Sequence, residues 1–178
     1  MQFATLPTGK HPGALLRPLR EDDIPRWAAY LNDPPVYQHT SWDRPSIATL
    51  RGYLGSDVPG DPASRLRLAI GSRADGRLLG TIGFHSLSPE NRTAELAYDL
   101  HPEAWGCGLA TCMARHMVQW AHSEVGTLRV QATVLQTNIR SIRTLERAGF
   151  TREGLLRSYR LVRGSPGNFF MYSHLWTD

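Results

Sequence analysis

The chain has little cysteine, no long apolar run and no block of like charge. Its only thiols, Cys107 and Cys112, leave no disulfide framework to propose, and their separation is no usual zinc spacing. The histidines form no ligand constellation either, so no metal is expected. The apolar runs are far too short to span a bilayer, which speaks against a membrane. The opening MQFATLPTGKHPGALLRPLR lacks the continuous apolar core of a signal peptide, so the expected location is cytoplasmic. The net charge is +4 and the pI near 9.4, yet the arginines are scattered, which argues against nucleic acid as a partner. A basic pocket for an anionic cofactor accounts for the same charge. Also missing are Gly-x-x-x-x-Gly-Lys-Ser/Thr and a Gly-x-Gly-x-x-Gly behind an N-terminal strand. Neither a nucleotide triphosphatase nor a dinucleotide fold is therefore indicated.

What is present fits one domain over residues 1–178, since 178 residues can bury one good core but not two. The first dozen or so residues read as a flexible tail. Leu15 to Leu19 has a strand pattern, and Ile24, Trp27, Ala28 and Leu31 share a helix face, with Asp22 or Asp23 as N-cap and Pro34-Pro35 as the stop. VYQHTSWDRPS reads as a polar and aromatic loop, Ile47 to Leu54 as a short helix, and GSDVPGDPAS as a second loop. RLRLAIGS, LLGTIGFHSL and TAELAYDL then read as antiparallel strands joined by turns at Asp75-Gly76 and Pro89-Glu90-Asn91. In the last of them Glu95, Ala97 and Asp99 share one face, opposite Ala94, Leu96, Tyr98 and Leu100. Leu109, Cys112, Met113, His116, Met117 and Trp120 mark a helix running to about Glu124 and ended by Gly126. Leu128, Val130, Ala132 and Val134 alternate along another strand. Asn138 opens a helix with Ile139, Ile142 and Leu145 in a stripe, closed by Gly149 as a left-handed cap. GLLRSYRLVRG and NFFMYSHLW complete a final hairpin. The fold class is α/β (α+β), built around one sheet.

The stretch AWGCGLATCMARHM puts Gly106, Gly108 and Ala110 at the start of a helix, where backbone N–H groups lack intrahelical partners and the dipole favours an anion. On spacing alone, a plain helix start packed closely on a strand fits as well as a phosphate cradle. The context of AELAYDL, HPEAWGCGLAT and NIRSIRTLERAGF decides between them, because together these resemble the GNAT superfamily of acyl-CoA-dependent N-acyltransferases. The family's Gln/Arg-x-x-Gly-x-Gly/Ala motif falls on WGCGLA, with Gly108 and Ala110 matching and Trp105 where Gln or Arg would stand. The Trp-Gly-x-Gly-x-Ala form and Asn-x-x-Ser-x-x-x-Leu-Glu-x-x-Gly-Phe resemble the RimJ/RimL branch, whose best-known members acetylate the N-terminal amine of ribosomal proteins.

That resemblance implies a mixed, mostly antiparallel sheet flanked by helices, with acetyl-CoA as co-substrate and an amine as acceptor. Backbone groups near Asp99 and Leu100 would pair with pantetheine where the fourth and fifth strands splay. The N–H groups of Trp105, Gly106, Cys107, Gly108, Leu109, Ala110 and Thr111 would hold the pyrophosphate. Asn138 would touch the pantetheine arm, cap its helix, or do both. Glu95, or a water it holds, is the candidate general base; the alternative is a strand carboxylate paired with an arginine. The tyrosine many members use against the leaving thiolate is replaced by Leu145, and Ser141 is the candidate donor in its place, or else a small residue packed near the cofactor. Tyr37, His39 and Trp42 lie in the segment that borders the acceptor site in this family. The acceptor expected from the branch is a protein or peptide N-terminus. A small amine is the alternative acceptor, and a CoA-binding sensor without turnover is the alternative to an enzyme. A homodimer is in keeping with the family.

Overall fold

The structure, a computed structural model, describes residues 6, 7, 9, 11–41, 44–55 and 65–178. Seven strands, β1 (Ala14–Pro18), β2 (Arg67–Ser72), β3 (Leu78–Ser88), β4 (Thr93–Leu100), β5 (Arg129–Leu135), β6 (Thr151–Val162) and β7 (Ser165–Leu175), form one sheet in the order β1-β2-β3-β4-β5-β7-β6. Every neighbouring pair is antiparallel except β4 and β5. Among the described residues five α-helices cover the faces: α1 (Ile24–Leu31), α2 (Pro34–Tyr37), α3 (Ile47–Arg51), α4 (Leu109–Trp120) and α5 (Ile139–Arg147). Among the described residues no helix is long and apolar enough to cross a membrane.

Two apolar layers sandwich the sheet. On one face Leu68, Ile70, Ile82, Phe84, Leu96, Val130 and Val134 pack against Leu109, Met113 and Met117 of α4 and Leu145 of α5. On the other, Ala69 and Leu78 meet Ile24, Trp27, Tyr30 and Leu31 of α1 and Leu50 of α3. Because β2 is covered on both faces, its residues are buried without interruption rather than in alternation. Strands β2, β3 and β4 approach so closely that a Cβ at Gly83 would strike the Leu66 carbonyl, and one at Gly80 the Asp99 carbonyl.

Several local expectations are corrected by tertiary contacts. Leu6, expected in a flexible tail, packs against the core, and Pro7 and Gly9 are buried. Asp23 stands before α1 without capping it; its carboxylate takes two hydrogen bonds of 2.7 Å from Arg17 and one of 2.9 Å from the Arg20 amide. Pro34 and Pro35 do not merely stop α1 but open α2, where a proline's missing N–H costs nothing. Ile139 is half exposed, so the α5 stripe is carried by Leu145 and Ile142. Of the loop GSDVPGDPAS, only Gly55 is among the described residues.

Strands β4 and β5 pair only at Thr93 with Arg129, Ala94 with Val130 and Glu95 with Gln131. From Leu96 and Ala132 onward the two strands run on without pairing, leaving a wedge in the middle of the sheet. The segment that follows β4 and opens α4 lies at the mouth of this wedge, as does the N-terminus of α5.

Candidate active site

Two clefts meet at the wedge. The larger, of about 320 Å³, is lined by Trp105, Gly106, Gly108, Leu109, Ala110 and Thr111 on one side and by Asn138, Ser141 and the arginines of α5 on the other. The smaller, of about 140 Å³, lies across the sheet between β3, β4, β5 and β6, and contains Glu95, Thr133, His85 and Arg160. His39, Thr40, Tyr98, Asp99, Asn138 and Ser141 line both.

One wall of the first cleft is the glycine turn that leads into α4. Gly106 and Gly108 both have φ near +80°, a conformation that a side chain disfavours, and a Cβ on either would meet nothing within 4 Å. The first bond of α4 runs from the Cys112 amide to the Gly108 carbonyl at 3.0 Å, so the amides of Leu109, Ala110 and Thr111 precede any intrahelical bond. Trp105 does not contribute its amide as expected. That N–H donates to the Pro102 carbonyl at 3.1 Å, and the indole Nε1 donates to the Leu100 carbonyl at 3.1 Å. Cys107 is exposed but absent from the cleft lining; its thiol faces the Ala104 carbonyl at 3.3 Å. The opposite wall is basic. Arg140, Arg143 and Arg147 recur at helical spacing along α5, and the Arg140 guanidinium lies 4.3 Å from the centre of the Trp105 ring.

Asp99 and Leu100 both line this cleft. The Leu100 carbonyl is taken by Trp105, and the Asp99 carboxylate turns to the other face of the sheet. There it is buried among four donors: Arg67, the Tyr30 hydroxyl, Trp27 Nε1 at 3.1 Å and the Thr81 hydroxyl at 2.9 Å. Burial, followed by the Asp99 charge, pushes the Tyr30 phenol well above its usual range. A carboxylate held this way fixes β4 against β2, β3 and α1 and is unavailable for proton transfer.

Asn138 is confirmed as an N-cap, its Oδ1 accepting from the Ser141 amide at 3.1 Å. Its Nδ2 donates to the His39 carbonyl at 3.0 Å, tying the α2–α3 connection to the wedge. The Ser141 hydroxyl sits 2.7 Å from that of Tyr98. Leu145, where many relatives carry a phenol, is buried in the core. A phenol is nevertheless present, supplied by β4 instead of α5. Burial pushes the Tyr98 hydroxyl up to about 12, against the opposing pull of its Ser141 and Thr144 hydrogen bonds, so it is protonated at neutral pH.

Glu95 lies in the second cleft, where its Oε1 accepts from the Thr133 hydroxyl and from Arg160, each at 3.1 Å. It is thus a strand carboxylate paired with an arginine. His39 borders both clefts, with its imidazole pKa lowered by burial and then by Arg140 and Arg163. Tyr37 lines neither; its ring lies between the guanidinium groups of Arg44 and Arg163, at 4.7 and 5.1 Å. Trp42 falls outside the described residues. Sequence reasoning missed Tyr98, His85 and the arginine face of α5. Only the last had a local signal, the spacing of Arg140, Arg143 and Arg147 on one side of a helix.

Residues 14–151 match the acetyltransferase (GNAT) domain family. The chain is 38% identical over 108 residues to the uncharacterized N-acetyltransferase YoaA of Bacillus subtilis (strain 168), and the match spans 61% of each protein. Less than two-thirds of that relative's length is therefore covered. The structure superposes on the ribosomal-protein-S5-alanine acetyltransferase of Vibrio fischeri with a TM-score of 0.80 at 14% identity, covering 96% of this chain and 97% of that one. It superposes equally well, at 0.80 and 17% identity, on the spermidine N-acetyltransferase of Vibrio cholerae in complex with CoA and spermine, covering 94% and 98%. At these identities the likeness is one of fold alone. With most of the chain inside the family match and a mixed sheet parted beside a glycine cradle, the protein belongs to the GNAT acetyltransferase family.

Proposed function

We propose that the protein transfers an acetyl group from acetyl-CoA to a primary amine, with the N-terminal α-amine of a protein or peptide as acceptor. The observation that carries this is the meeting of the two clefts at Tyr98, Asn138 and Ser141, which gives a thioester and an amine separate entrances to one point. The residues of the first cleft fit acetyl-CoA: glycines leave open space above unpaired helix N-terminal amides, and three arginines face them. Acetyl-CoA supplies the activated acyl group as a thioester.

The chain's own groups then have separate tasks. The amides of Gly106 to Thr111 hold the pyrophosphate, and the arginines of α5 complement its charge. Ser141 donates to the departing sulfur while Tyr98 donates to Ser141, so the serine proton is directed at the leaving group. A thiol pKa of about 8.5 makes this help modest in size.

Support for an α-amine over a polyamine comes from charge. Among the described residues the carboxylates lining the second cleft are Glu95 and Asp99, and each is paired, with Arg160 and Arg67 respectively. No surplus negative charge remains there to draw a polycation. The test is thiol release from acetyl-CoA against peptides of varied N-terminal residue and against small amines including spermidine, with mass spectrometry of the products. Acetylation of a peptide α-amine is expected. Acetylation of spermidine alone would overturn the acceptor, and CoA binding without product would overturn the enzyme.

A further inference from the structure

The register between β3 and β4 slips at one place. Phe84 pairs with Leu96 and Ser86 with Glu95, leaving His85 as an extra residue on β3. Alternation along β3 puts Phe84 on the core face and His85 on the face of Glu95, and the extra residue brings Leu87 back to the core side. Phe84 stays in the core, stacked on Trp120 at 6.2 Å between ring centres. His85 lies at the acceptor cleft, exposed, on the same wall as Glu95. Among the described residues its ring has no hydrogen-bond partner. Glu95, by contrast, already receives two hydrogen bonds on Oε1.

We infer that His85 is the group that takes the proton from the attacking amine, and that Glu95 stabilises the imidazolium so formed. The inference rests on reading this cleft as the acceptor side of an N-acetyl transfer, but not on which amine is used. In the step, the amine nitrogen bonds to the acyl carbon, the bond from that carbon to sulfur breaks, and the sulfur keeps the electron pair. The proton shed by nitrogen goes to the His85 imidazole, and the sulfur leaves as a thiolate that accepts a hydrogen bond from the Ser141 hydroxyl, so imidazolium and thiolate balance in charge. The groups facing His85 suit this use. Although the residue is exposed overall, desolvation of the ring by the cleft wall lowers its pKa most, Glu95 from β4 raises it, and Arg160 from β6 with Arg65 and Arg67 on the β2 side lower it. The ring is therefore neutral and able to accept a proton at pH 7, with a carboxylate nearby for the moment it becomes charged.

The experiment uses the full chain and whichever amine the wild-type protein acetylates best. His85→Gln, His85→Ala and Glu95→Gln are compared with wild type for kcat and kcat/KM from pH 5 to 9 and for calorimetric binding of acetyl-CoA. The imidazole signals of the free protein are titrated by NMR. His85→Gln should lower kcat about a hundredfold with acetyl-CoA affinity unchanged, in line with the loss of a general base. The acid limb of wild-type kcat/KM should coincide with the NMR midpoint of His85. Glu95→Gln should move both to lower pH, since the carboxylate raises that midpoint. Added imidazole should restore part of the turnover of His85→Ala, which a purely structural histidine would not allow. Retention of kcat within about twofold in His85→Gln, or an acid limb that ignores the His85 midpoint, overturns the assignment. Acetylation of a small amine but no peptide refutes the acceptor class and leaves His85 testable on that amine; no acetylation of any amine refutes both.

Discussion

Tyr98 and Ser141 come from different elements and share one hydrogen bond, so their effects on turnover should not be independent. Ser141→Ala is expected to lower kcat roughly tenfold at saturating substrates without abolishing it, because a thiolate leaves tolerably unaided. Tyr98→Phe should cost a similar amount, and the double variant little more than either, the mark of residues acting as a unit. Steady-state kinetics of the three variants checks this; full additivity would separate the pair. The alternation of β4 was legible in TAELAYDL, including the face shared by Glu95 and Asp99. The partners of those carboxylates were not. Arg67, Thr81, Trp27 and Tyr30 converge on Asp99 from three elements, and nothing local in any of them announces it.

Among the elements, the turn before α4 ties a backbone conformation to ligand binding. Gly108→Val forces a branched side chain into φ near +80°, at about 1–2 kcal/mol, and places its methyl groups in the open cleft. Calorimetry should show acetyl-CoA affinity falling at least about tenfold, with far-UV circular dichroism unchanged. A second element-scale test concerns the β5–β6–β7 edge. Arg129 and Ser173 hold the Glu153 carboxyl at about 2, below its usual 4.5. Since the folded pKa is the lower one, the pair stabilises fully above pH 4.5, and the contribution is lost as pH falls towards 2. Glu153 is 40% exposed, so the effect is under about 1 kcal/mol. Glu153→Gln should melt slightly below wild type at pH 6, and the gap should narrow as pH falls below 4.5 and close below about pH 2. These features were readable in part, since glycine at a helix start is a local signal, whereas the Glu153 contacts exist only once three strands are aligned.

Across the whole molecule, Arg163 ties the β6–β7 turn to the segment between α2 and α3. From the β6–β7 turn its guanidinium donates to the carbonyls of Tyr37, Gln38 and Thr40, at 3.0 to 3.2 Å, and so fixes the connection that carries His39 over the wedge. Arg163→Ala should raise the KM for the amine about fivefold and leave the affinity for acetyl-CoA unaltered, as measured by kinetics and calorimetry. A matched loss of both would mean that the two clefts are not separately built. The same guanidinium lies over the Tyr37 ring, as does that of Arg44, and Tyr37 is absent from the lining of both clefts.

The sequence by itself determined the strands, most of the helices, their order and the glycine turn before α4, because hydrophobic period, capping residues and glycine turns act over a few neighbouring residues. The motif set around Glu95, Gly108 and Asn138 also pointed to the family before any contact was known. Tertiary structure alone decided the parting of β4 from β5, the pairing of Glu95 with Arg160, the phenol of Tyr98 behind Ser141, and the bulge that sets Ser86 rather than His85 opposite Glu95. Each depends on register between strands or on side chains from distant segments meeting, and a linear pattern of residue types does not encode which partner a charged or polar group will find.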